Sequence, residues 1–250
     1  MGTLNVAVGE NVSGQCIGEH WRDPEIPPNP VTQLMPMHRR TLSLAFSFTL
    51  LPIRALGQTQ RLVPSSPVDG VSLYLIPTDG FPEQAAAGIA RALTKDTGQW
   101  VKSSLLMPSG VHDPLPGTHQ YPADDYLPFG AKAARQLPDA NARTYFIVLT
   151  DRDINSRTRN FRFQYSMHSP MARTSVLSVA RLLYGKDGSV EPGEVISLRV
   201  QKMLTRIVGE MKLGWKRSSD PADLMYAPIM SMEDIDRMSL THSMQSRMPR

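Results

Sequence analysis

Residues 144–150 read TYFIVLT, a run in which every position is apolar, aromatic or β-branched. A strand with no polar alternation is buried on both faces, and both faces of a sheet are covered when helices pack on each side. Such a strand sits centrally in its sheet and points to an α/β domain. A second run, VSLYLIP at 71–77, reads as another buried strand closed by Asp79 and Gly80. Pro82 follows, with its missing N–H suited to a helix start, and the alanine-rich stretch 83–95 runs to Gly98, a natural C-cap. Residues 100–106 then read as a strand. Strand, helix and strand in this order favour parallel pairing.

Further along, 108–122 is a loop with four prolines and two glycines. A helix is expected over 123–137, broken near Pro128. The alternation at 161–165 predicts a partly exposed strand, and 174–179 another. The main helix spans 194–213, with Ile196, Val200, Met203, Leu204, Ile207 and Met211 on one stripe. Lys202 and Lys212 fall off that stripe and are expected in water. Ser231 to Asp234 reads as a capping box opening a short last helix, and the polar tail from Ser239 is expected to fray. The resulting fold class is α/β: a single domain with its core over 65–238, a mixed, mostly parallel sheet and packed helices.

Composition narrows the function. The 250 residues are 41% hydrophobic and 20% charged, enough for one domain or at most two. A net charge of +4 is mild. With no lysine run and no interleaving of aromatic and basic residues, no nucleic-acid partner is expected. Cys16 is the one cysteine, which excludes an internal disulfide and a cysteine-rich zinc site. The fourteen methionines read as core filling and start codons.

Residues 37–57 have the organisation of a secretory signal peptide. His38-Arg39-Arg40 is basic, TLSLAFSFTLLPI is apolar, and Ala55-Leu56-Gly57 offers a cleavage site before Gln58. The apolar run is too short to span a bilayer comfortably, so no stable membrane anchor is expected after cleavage. An extracytoplasmic mature domain, 58–250, follows, and 1–36 reads as an unfolded upstream extension.

Three stretches together resemble the archaemetzincin metallopeptidases across roughly 71–238. They are YLIPTDGFPEQAAAGIARAL from Tyr74, YFIVLTDRDI from Tyr145 with LSVARL from Leu177, and the long helix followed by SDPADLMY from Ser219 and MEDIDR from Met232. The resemblance implies a metzincin-like fold with a methionine turn at Met225. It also implies a helix motif H-E-x-x-H-x-x-G-x-x-H, in which three histidines hold zinc and the glutamate is general base to the zinc-bound water. Here Glu210 matches the base, while Gly209, Leu213 and Ser219 stand at the ligand positions. Glycine and leucine offer no donor atom, and serine alone is a poor one. The family's structural-zinc cysteines are missing too, with Ser219 and Asp223 near the first pair. The expectation is a pseudopeptidase with no metal ligands and no cofactor, binding an extended peptide or protein partner. Glu210 is then a vestigial base or a plain helix glutamate. The alternative is a zinc-dependent metallopeptidase or other hydrolase with a rearranged site and borrowed ligands.

Other chemistry is sparse. His112 and His119 lie seven apart in the proline-rich loop, a spacing that fits no common metal site, and His168 and His242 have no local partner. Asp151 and Asp153 end the central strand, where α/β folds place binding groups. They could work as acid and base, hold a hard cation, or be consumed by Arg152, Arg157, Arg159 and Arg162. G-x-S-x-G, a Walker loop and G-x-G-x-x-G are absent.

Overall fold

The computed structural model describes residues 70–158 and 161–243. The upstream extension, the signal segment and residues 65–69 lie outside the described residues. β1 (Leu73–Pro77), α1 (Glu83–Thr97) and β2 (Val101–Ser103) are followed by β3 (Tyr121–Pro122) and α2 (Ala123–Ala133). Then come β4 (Tyr145–Thr150), β5 (Ile154–Asn155), β6 (Ser166–Ser169), β7 (Thr174–Ser178), α3 (Gly193–Met211) and α4 (Met232–Arg237). The main sheet has the order β2-β1-β4-β7-β6, parallel throughout except for the antiparallel β6–β7 pair at one edge. β3 and β5 make a separate two-stranded sheet. The described residues thus form one α/β domain with a mixed, mostly parallel sheet.

β4 is buried at all six positions. Tyr145, Ile147 and Leu149 point into a core shared with α1 and α3, and Phe146 and Val148 into a second core with α2. Helices on both faces explain why the run carries no polar alternation. Each fully buried side chain of this size contributes about 1.5–3 kcal/mol.

Four sequence expectations need correction. The strand expected at 161–165 lies about five residues later, at Ser166–Ser169, since there the chain can ladder with β7 through His168↔Ser175. The helix α2 runs through Pro128 without a break. Pro128 removes only one ladder bond, and buried Tyr126, Phe129 and Ala133 hold the helix on the sheet. The tail does not fray through Ser243: Ser239 N–H donates to Ala222 and Leu224 N–H to Thr241 O, at 2.8 and 3.0 Å. Lys202 is not in water. It is 4% exposed, and its ammonium donates to the carbonyls of Ile235 and Asp236 at 2.9 and 2.8 Å.

Lys202 belongs to a row. Arg199, Lys202 and Arg206 are all buried on α3 and all donate to carbonyls of preceding or later segments. Arg199 reaches Leu182 and Tyr184 and pairs with Asp236 and Glu191. Arg206 reaches Leu224 and Tyr226. The apolar stripe meets the sheet as expected, with Met211 half-buried at its end. α4 opens on the capping box, where the Asp234 carboxylate accepts from the Met230 and Ser231 N–H groups. Among the described residues no helix is long and apolar enough to cross a membrane.

Candidate functional site

α3 ends over the amino-terminal ends of β4 and β7. Gly214, with φ of 69°, reverses the chain there, a conformation glycine adopts without steric cost. The Trp215 N–H then donates to Gly209 O at 2.9 Å, and the indole lies on the helix's last turn. A Cβ added at Gly209 would stand 2.1 Å from Trp215 Cε3. The indole therefore fills the space into which any side chain at position 209 would project. On its other side Trp215 meets the His242 ring, 5.2 Å between centroids.

Glu210 is half-buried next to this plug. Its carboxylate accepts from Arg217 Nε and Nη2 at 3.3 and 3.2 Å. Leu213 packs against the core, and Ser219 is exposed. The loop that follows carries fully buried Met225, whose N–H donates to Asp223 at 2.6 Å. Asp223 also accepts from Ser243, and its Oδ1 lies 2.8 Å from His242 Nδ1. Burial pushes the Asp223 carboxyl up, but His242 and these donors outweigh it and bring it to about 2. His242, with no partner nearby in sequence, finds one nineteen positions back.

His168 has partners as well. Its Nδ1 lies 2.8 Å from Ser175 Oγ and its Nε2 3.2 Å from Ser166 Oγ, and Ser175 Oγ is 2.9 Å from the Tyr145 hydroxyl. Burial drives the imidazole down to about 4, with the Glu210 charge pulling the other way. Burial likewise raises Tyr145 to about 12. This line crosses β6, β7 and β4, so the ladder brings together residues far apart in the chain. Ser166 and His168 stand two apart and so share one face of β6, but no sequence signal identified their partners. Trp215, too, lay unremarked between the matched positions.

The second set of site residues does not join this one. Asp151 and Asp153 follow the carboxyl end of β4, about 20 Å along the strand from Glu210's end. Asp151 accepts from the Gly80 N–H at 3.0 Å. Asp153 is held by Arg181, with contacts of 2.8 and 2.6 Å, and by Gln120. Arg152 turns to Asp79 and Arg157 to Asp125. Arg159 lies outside the described residues. Sequence neighbours on a loop point apart, so the partners come from other elements. A further carboxylate there is Asp79, read from the sequence only as closing β1, which accepts from Ser109, Tyr126 and Thr150 within 3.0 Å. His112 and His119 are exposed.

Similar architectures are known from solved structures. A zinc-dependent peptidase from Methanocorpusculum labreanum superposes with a TM-score of 0.57 at 16% identity, covering 68% of this chain and 95% of its own. Archaemetzincin from Methanopyrus kandleri gives 0.52 at 21% identity, covering 72% and 93%. The Archaeoglobus fulgidus protein, complexed with malonate, gives 0.52 at 21%, covering 68% and 94%. The fold is that of archaemetzincin. No protein-family model matches the sequence, and no curated protein matches it.

The sequence resemblance puts Gly209, Leu213 and Ser219 at the zinc-ligand positions. The residues do not fit a zinc ion at these positions. Two have no donor, the third is a lone hydroxyl, and the indole occupies the space before the first. Among the described residues no three His, Cys, Asp or Glu side chains cluster so as to hold a metal elsewhere.

Proposed function

We propose that this chain is a non-catalytic, peptide-binding domain built on the archaemetzincin fold. The packing of Trp215 on Gly209 carries the reading. Peptide hydrolysis of the metzincin kind depends on a water acidified from a pKa of about 15.7 to about 7 by zinc. With the ligand space filled by an indole, and Glu210 engaged by Arg217, that water has no metal and the glutamate has no proton to move. What persists is a sheet edge. β6 ends the sheet, and no described strand pairs with its outer side. Such an edge presents unpaired N–H and C=O groups to an extended peptide. We also propose export of the mature domain, on the composition of residues 37–57.

The purified protein is expected to retain no stoichiometric zinc after dialysis and to cut nothing in a peptide-library digest. A strong chelator should leave its thermal melt in place. One zinc per chain, or cleavage abolished by Glu210→Gln, would overturn this in favour of a hydrolase with a rearranged site. N-terminal mass analysis of protein from the native host tests export: the expected start is Gln58, and cytoplasmic protein with 1–36 intact would refute it.

A further inference from the structure

Three cations gather where the edge strand ends. β4 and β7 are parallel neighbours, so Arg143, just before β4, and Arg173, just before β7, share one end of the sheet. The Arg173 carbonyl accepts from Phe146 N–H at 2.9 Å, which fixes the two segments side by side. Lys212, at the C-cap of α3, reaches the same place and donates to the Arg143 carbonyl at 2.9 Å. β6 arrives there too, since its last residue, Ser169, pairs with Thr174. Arg143 and Arg173 are exposed and Lys212 half-buried.

None of the three forms an ion pair among the described residues, whereas Arg152, Arg181 and Arg199 each pair with a carboxylate. The crowding is felt: burial, then Arg143 and Arg173, lower the Lys212 pKa. Arg217 adds a further exposed cation on the Glu210 side, where the carboxylate offsets it. Arg173 has φ of 49°, a left-handed turn position that suits glycine or asparagine far better than arginine. At that position the backbone is served better by glycine than by arginine.

We infer that the edge of β6 takes an extended peptide carrying acidic residues at the end that reaches Ser169, against Arg143, Arg173 and Lys212. This rests on the peptide-binding reading above and adds the chemistry of the peptide. The charge complementarity is one-sided: three cations lie at the end of the sheet where β4 and β7 begin and β6 ends, and no described carboxylate pairs with any of them.

The test is fluorescence anisotropy on the purified chain with short labelled peptides alternating threonine and valine. One version carries three aspartates at one end, a second at the other, a third carries glutamines instead, and a fourth is acidic but N-methylated at alternate amides. A labelled DNA duplex serves as a second anion. One acidic version is expected to bind about tenfold tighter than the glutamine peptide, the size of three partly screened ion pairs. High salt should erase that advantage. Arg143→Gln with Lys212→Gln should erase it as well. Arg173→Gly should erase it while raising the melting temperature by a few degrees, a combination that a merely structural arginine would not give. Equal binding of acidic and glutamine peptides would overturn the acidic preference and leave peptide binding standing. Equal binding of the N-methylated peptide would overturn the docking on β6. No binding of any peptide would refute this inference and the function proposed above together, and tighter binding of the duplex would refute an acidic peptide as the partner.

Discussion

The body of α3 and its last turn belong to one helix but are held in different ways. Between Arg199 and Gly209 only Gln201 is not buried. The apolar stripe meets the sheet, and the row of Arg199, Lys202 and Arg206 grips carbonyls of flanking loops and the C-terminal segment. The last turn, by contrast, meets the reversed loop and the tail through Trp215 and His242, while Lys212 at its C-cap reaches the Arg143 carbonyl. The body needs no metal to stay in place. The helix end is therefore not what holds the fold, and an indole packs against it.

The sharpest way to break this contrast is to attack the body. Met203→Asp or Ile207→Asp places a carboxylate among residues 2% and 1% exposed. Burying an unpaired charge costs several kcal/mol or more against a total stability of about 5–15, so neither variant should fold. Circular dichroism decides it, and a native melt from either variant would mean that the stripe does not carry the helix.

A smaller effect belongs to the last turn's surroundings. His168, beneath Glu210, is held neutral with a pKa near 4 against 6.5 in the unfolded chain. A lowered folded-state pKa means that the unfolded chain binds the extra proton between these values. Stability is then full above about 6.5 and falls as pH drops toward 4, by about 3 kcal/mol in all. Urea melts across that range should show the slope, and His168→Gln should flatten it. Asp223 acts in a separate window, since its contribution is lost only as pH falls below 3.8 toward 2. An unchanged slope in the His168 variant would refute the assignment.

The smallest test separates buried from exposed lysines. Lys202→Ala leaves the Ile235 and Asp236 carbonyls without their donor and should cost about 2 kcal/mol. Lys216→Ala, at an exposed position just beyond the helix, should stay within about 0.5 kcal/mol. Thermal melts of the pair check this, and equal shifts would mean that the cation row contributes nothing.

Local pattern alone determined much of this protein. The unbroken apolar run of β4 required helices on both faces, Gly98 and the Ser231 box marked helix ends, and the spacing of six apolar residues turned α3 toward the sheet. That Gly209 and Leu213 carry no metal-donor atom is read directly from the sequence. Tertiary structure decided the rest. A lysine off the apolar stripe is exposed only if nothing packs there, and it was the return of residues 235–236 that buried Lys202. His168 and His242 found partners through the ladder and the tail, and Asp153 found Arg181 rather than its sequence neighbours. That an indole packs on Gly209 depended on the Gly214 reversal. Periodicity reports which face of an element is apolar, but it carries no information about which distant segment comes to lie against the polar one.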